Sequence, residues 1–162
     1  MWDTSLIREG VGSLQAALVT GRLGEYQAQA AIAALHDDAA TAEETDRPQI
    51  LQWYEELLRF NDNPVVLLNR AVAVGEVDGP LPGLRALDGL DDGLPRRDAV
   101  TAYLHERAGN LTGAARRYAS AAHRATTTAE RDHLTKHAAR HNACHERQLV
   151  GPQCCRRGGF LP

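Results

Sequence analysis

No cysteine occurs before position 144 of this 162-residue chain; Cys144, Cys154 and Cys155 all fall in the last nineteen positions, and no Cys-x-x-Cys is present. The body of the protein therefore has no thiol for a disulfide, and its fold does not depend on one. The start lacks a basic segment followed by an apolar stretch, and no uninterrupted apolar run approaches the length that crosses a bilayer. Those absences argue against a secretory leader and a membrane span, and the expected location is the cytoplasm. Strand signals are missing too, with few β-branched runs and no period-two alternation. The signatures that announce common catalytic sites fail in turn: no P-loop, no Gly-x-Gly-x-x-Gly after a strand, no Gly-x-Ser-x-Gly and no His-Glu-x-x-His. The expectation is a protein without catalytic residues or a cofactor.

What remains is abundant Ala and Leu in helix-spaced patterns, which makes the expected fold all-α. Capping residues and breakers divide the chain. Asp3 or Thr4 opens a first helix that ends at Gly21–Gly24, and a second runs from about Glu25 to Asp37. A polar linker leads to Asp46, an N-cap with Pro48 in the first turn of a helix reaching Phe60; Asn61–Pro64 makes the next turn. A short helix around Leu81–Leu90, two more at about Arg97–Ala108 and Thr112–Arg124, and a last from about Thr128 to His141 complete the series. The size suits one helical domain over residues 1–142, with a disordered tail over 143–162.

Charge is distributed unevenly. Residues 1 to 95 hold 6 Lys+Arg against 16 Asp+Glu, and residues 96 to 162 hold 12 against 5. A basic end can attract nucleic acid or an acidic partner, but no nucleic-acid motif accompanies it, so neither direct DNA contact nor membrane binding is expected.

Helices of 12 to 15 residues joined by short turns suggest a repeat array. Gly109 ends one helix, Leu111 opens the next, and Ala114, Tyr118 and Ala121 follow at spacings of four and three. These are tetratricopeptide positions, where small Ala allows close helix approach and Tyr fills the space between hairpins. The expected architecture is a set of antiparallel helical hairpins forming a degenerate tetratricopeptide-like superhelical array.

Several strings then point to a family: Trp2-Asp3-Thr4-Ser5-Leu6-Ile7-Arg8-Glu9-Gly10, Tyr26 to His36 (YQAQAAIAALH), Thr45-Asp46, and Leu68-Asn69-Arg70-Ala71-Val72-Ala73-Val74. Together they resemble the C-terminal extension of one group of extracytoplasmic-function RNA polymerase sigma factors, over about Trp2 to Leu134. The resemblance implies a built-in regulatory domain of bacterial transcription initiation. Its implied partners are the sigma regions of the same polypeptide or the RNA polymerase core. The chain begins inside the first string, so the regions that bind polymerase and read a promoter are not in it, and alone it is not expected to initiate transcription. Arg47 stands where the family usually has an aromatic residue, and the segment from about Ala143 matches nothing in the family pattern.

Three features are candidate sites. The segment Asn63–Val77 is apolar on nearly every side yet carries Asn69 and Arg70, which predicts an enclosed helix and a dedicated partner for the guanidinium. The alternative is that Arg70 snorkels along its aliphatic stem to the surface. Tyr26, Gln29, Ala33 and His36 share one face of their helix. With Asn69 and Arg70, and with Glu9 or Asp46 as charge partners, that face is either a groove for a peptide or small ligand or a hydrogen-bond network fixing repeat register. Finally, His133, His137, His141 and His145 descend one helical stripe at four-residue steps, the spacing at which imidazoles chelate a metal. Exposed histidines are common in basic helices, and no metal is assigned.

Overall fold

The computed structural model describes residues 24–37, 45–60 and 62–150, with side chains placed as far as Ala143. Among these residues every regular element is an α-helix: α1 (Glu25–Asp37), α2 (Arg47–Leu58), α3 (Pro64–Val77), α4 (Pro80–Arg85), α5 (Arg97–Arg107), α6 (Leu111–Arg124) and α7 (Thr128–Val150). The protein is all-α, as its sequence predicts. The first expected helix, most of the linker before Asp46 and the segment from Gly151 onward lie outside the described residues. No described helix is long and apolar enough to cross a membrane. The last helix continues to Val150 instead of stopping near His141. No Gly or Pro interrupts residues 128–150, and the first breaker is Gly151-Pro152.

The described residues fall into two compact units, the first ending at Ala86 and the second beginning at Leu87. In the first, local chemistry sets the helix starts. The Asp46 carboxylate accepts the Gln49 backbone N–H at 3.0 Å, and the Asn63 side-chain oxygen accepts that of Val65 at 2.9 Å, with a proline in each first turn. The core joins Ala28 and Ile32 of α1, Ile50 and Leu57 of α2, and Val66 and Ala73 of α3; Trp53 and Tyr54 pack against it half-buried. Burial pushes the Tyr54 hydroxyl above the ordinary phenol pKa.

Helix α3 is not enclosed all round: Val65 is 51% exposed, Val77 37%, and Asn69 is exposed. It packs against α2 and against α4. An apolar sequence records what a helix can bury, whereas its neighbours decide which faces are covered. On the α4 side the two backbones nearly touch. A Cβ added to Gly83 would lie 2.8 Å from Gly75 Cα and 3.0 Å from the Ala71 carbonyl oxygen.

The second unit is a set of three consecutive helices, α5, α6 and α7, each packed on the next. Its core uses alanine: Ala102, Ala114, Ala121, Ala122, Ala125 and Ala138 surround Tyr118 and Leu134. Small side chains let the helices approach closely, and one tyrosine supplies the bulk. The α5–α6 turn is two-sided. Gly109, at φ +77°, takes the left-handed conformation that ends α5, and Asn110 then caps α6 by accepting the Gly113 N–H at 2.9 Å. Asn110→Ala is expected to lower the stability of this unit by about 1 kcal/mol, measurable as a shifted denaturant midpoint at constant slope. Helix α7 starts at Thr128, as the sequence suggests, and Thr127 caps it, its hydroxyl accepting the Glu130 N–H at 3.2 Å.

Candidate functional site

Helix α1 turns one polar face outward. Tyr26, Gln29, Ala33 and His36 are exposed, Tyr26 by 82%, while Ala28 and Ile32 on the opposite side are buried. The Gln29 amide donates to the Glu25 carboxylate one turn earlier, at 3.2 Å. This face presents an aromatic ring, an amide and an imidazole outward.

The other groove candidates are engaged by other groups, exposed, or outside the described residues. Arg70 has a partner among the described residues: its Nε and Nη2 donate to Glu55 Oε1 of α2 at 3.0 and 2.5 Å. Glu55 is more than half exposed, so this is an interhelical surface pair of about 0.5 kcal/mol and not a buried charge needing rescue. Asp46 is engaged as the α2 cap. Asn69 faces outward, and Glu9 lies outside the described residues. Arg47, the departure from the family pattern, forms an ion pair with Glu76 and ties the start of α2 to the end of α3.

The second unit gathers polar groups that the sequence left apart. Glu106 of α5 meets residues of both following helices. The Tyr118 hydroxyl of α6 donates to Glu106 Oε2 at 2.9 Å, and Arg140 Nη2 of α7 donates to Oε1 at 3.2 Å. His141 Nε2 stands 3.1 Å from Oε2 and His137 Nδ1 3.9 Å from it. Tyr118 stacks on the His141 ring, with centroids 5.7 Å apart and planes within 12°, and touches His137 at 4.9 Å. Burial, then the Glu106 charge and hydrogen bond, push the Tyr118 hydroxyl far above the ordinary phenol range, so it stays a donor. Burial first, then Arg140 and His133, pull the His137 imidazole below its ordinary value despite the opposing Glu106 charge. His141 is 5% exposed, and its Nε2, although close to the carboxylate, lacks hydrogen-bond geometry and has no hydrogen-bond partner among the described residues.

A buried carboxylate sits nearby in sequence. Asp98, in the first turn of α5, is 5% exposed and accepts Arg117 Nη1 at 2.9 Å and the Ser120 hydroxyl at 2.6 Å, with Arg124 Nη1 at 3.5 Å. All three partners lie on α6. Beside them is an open depression of 450 Å³ lined by His105, Asn110, Gly113, Arg116, Arg117 and Ser120. Burial and then the adjacent Arg117 and Arg116 charges lower the His105 pKa, so this imidazole is neutral there at pH 7.

Sequence spacing alone does not find Glu106. The stripe of histidines is visible, but its carboxylate comes from a helix more than thirty positions earlier, among many solvated acids. The available signal was Tyr118: a buried tyrosine in an alanine core needs an acceptor for its hydroxyl, and one turn-pair away on α5 that acceptor is an acid.

Among known proteins, the chain is similar to an uncharacterised protein of Rhizobium meliloti (strain 1021), 42% identical over 94 residues. The match covers 58% of this chain and 22% of that protein. No family profile and no solved structure matches the chain.

Proposed function

We propose that this chain is a regulatory protein-interaction domain of a bacterial sigma factor. It would dock on the sigma regions of its own polypeptide or on the RNA polymerase core and modulate transcription initiation. The observation that carries the reading is the exposed Tyr26–Gln29–His36 face of α1, which lies within one of the strings that resemble the sigma-factor extensions. An aromatic side chain 82% exposed contributes little to its own fold, yet tyrosine is a frequent anchor of protein interfaces. Two further features support it. Helices packed on their sequence neighbours, with alanines and one tyrosine at repeat positions, suit a tetratricopeptide-like scaffold that presents surfaces and performs no chemistry. In the rhizobial relative the matched segment is under a quarter of the polypeptide, so there it is one part of a longer protein.

Tethering makes a weak contact sufficient. A domain in the same chain as its target meets it at an effective concentration up to about millimolar, so modest affinity in trans is consistent with strong coupling in cis. A second reading, a small-molecule sensor using a groove with Tyr26, His36 and Arg70, is less well supported, because Arg70 pairs with Glu55.

The test is binding of the full chain, separately, to a recombinant fragment of sigma regions and to core polymerase, by biolayer interferometry. Tyr26→Ala is expected to weaken binding at least tenfold, about 1.4 kcal/mol or more, without shifting the melting temperature. Binding to neither partner at hundred-micromolar concentration, or equal binding by the variant, would remove this reading.

A further inference from the structure

Glu106, His137 and His141 place one carboxylate and two imidazoles around a single point at the junction of three helices. Their potential ligand atoms all lie within 4.8 Å of one another. We infer that these three side chains form a binding site for a borderline divalent transition ion, Zn(II) foremost, with a fourth position left to solvent.

The donor set is the first argument. Two imidazoles and one carboxylate suit Zn(II), with Co(II) and Ni(II) as substitutes, and do not suit Mg(II) or Ca(II), which prefer all-oxygen cages. Spacing is the second. Donors about 2.0–2.2 Å from a tetrahedral ion stand about 3.3 Å from each other; Glu106 Oε2 is 3.1 Å from His141 Nε2 and 3.9 Å from His137 Nδ1. The three ligand atoms lie within 4.8 Å of one another, so rotation of the two imidazoles by about an ångström would bring the set together. His137 and His141 are one turn apart on α7 and project from the same face.

The third argument is independent of the cluster as such. His141 is 95% buried, and its Nε2, although 3.1 Å from Glu106 Oε2, makes no hydrogen bond among the described residues. A buried nitrogen without a partner is costly, and a metal ion would satisfy its lone pair. The surrounding groups fit a second layer: the Tyr118 hydroxyl holds Glu106 Oε2, orienting the carboxylate as outer partners do in metal sites, and its ring packs on both imidazoles.

Arg140 completes the argument on charge. Its Nη2 is 3.0 Å from His137 Nδ1 and 3.2 Å from Glu106 Oε1, so without a metal the guanidinium neutralises the carboxylate. Its side chain is 56% exposed and is free to swing into solvent when an ion takes that role. Arg140 is thus a competitor for the metal, and removing it should strengthen binding. A purely structural knot makes the opposite prediction, because losing Arg140 would only loosen it.

Occupancy would clamp α5 to α7 and stabilise the second unit by mass action. The site shares no residue with the α1 face, so it does not rest on the docking reading, and its failure would leave that reading intact.

The experiment is titration of the full, untagged chain with ZnCl2, followed by calorimetry and thermal melting, with CoCl2 as a spectroscopic probe. One ion per chain is expected, with a rise in melting temperature and a tetrahedral Co(II) absorption band. Glu106→Gln and His137→Ala, both partly exposed positions, should each weaken binding at least tenfold while keeping the helical circular dichroism. Tyr118→Phe should weaken it by about tenfold or more through carboxylate orientation. Arg140→Gln should tighten it, and His133→Ala should leave it unchanged. Absence of stoichiometric Zn(II) binding overturns the proposal. So does binding that survives Glu106→Gln but is lost in His133→Ala, His145→Ala or Cys144→Ser, because the ion would then sit elsewhere on α7.

Discussion

Replacing Asp98 by alanine is expected to destabilise the second unit by about 2–3 kcal/mol. The carboxylate is 5% exposed and gathers three α6 groups, Arg117, Ser120 and Arg124. Hydrogen bonds to a charged group contribute about 1.5–3 kcal/mol in mutational series. The loss stays below the worst case for a broken buried pair, because Arg117 and Arg124 are about half exposed and would re-solvate once released. The Ser120 hydroxyl has less freedom and should carry part of the penalty. A unit of this size has a total stability of only several kcal/mol, so the variant should lose its protection early in a denaturant series. Hydrogen exchange of the α5 and α6 amides is the suitable reading, since it reports this unit separately from the first. Coupling of Asp98→Ala with Ser120→Ala in a double-mutant cycle should be large, and additive effects would mean that the network is not cooperative.

Gly83→Ala is expected to reverse the usual sign for a glycine inside a helix. Alanine there normally gains about 1 kcal/mol in propensity. Here the new methyl would stand 2.8 Å from Gly75 Cα and 3.0 Å from the Ala71 carbonyl oxygen and the Gly75 nitrogen. These are backbone atoms of α3 and cannot rotate away, so α4 must be pushed off. Overpacking of this kind costs about 1–3 kcal/mol, which exceeds the propensity gain. Gly83→Val should approach loss of the α3–α4 contact altogether. Gly24→Ala is the control, because its methyl would meet only the flexible end of the Gln27 side chain. A Gly83→Ala variant as stable as the parent by thermal melting would show that α4 is held loosely.

Much of the fold was legible because its determinants are local. The starts at Asp46 and Asn63, the stop at Gly109 and the α1 boundaries follow from caps, breakers and a 3.6-residue apolar period, each readable within a few positions. The exposed face of Tyr26, Gln29 and His36 was legible for the same reason, since helix geometry alone sets which residues are neighbours on one side. The overlooked stretch of α7 to Val150 was also local, and the absence of any breaker before Gly151 would have found it.

The candidate site divides differently. Arg70 was singled out by burying pressure inferred from composition, but its partner is Glu55, fifteen positions back, and the pair is at the surface. The histidine stripe could be seen, yet its carboxylate, Glu106, and the Tyr118 hydroxyl that holds it come from two other helices. Sequence by itself determined the all-α class, most helix ends and which residues each helix could turn outward, because backbone hydrogen bonding and side-chain period act over a few residues. Tertiary structure alone decided which of many similar acids stands beside the buried nitrogen of His141, which glycine touches a neighbouring backbone, and which arginines meet Asp98. Those pairings depend on how helices far apart in sequence pack, and packing is set by the sum of many weak contacts that no single spacing records.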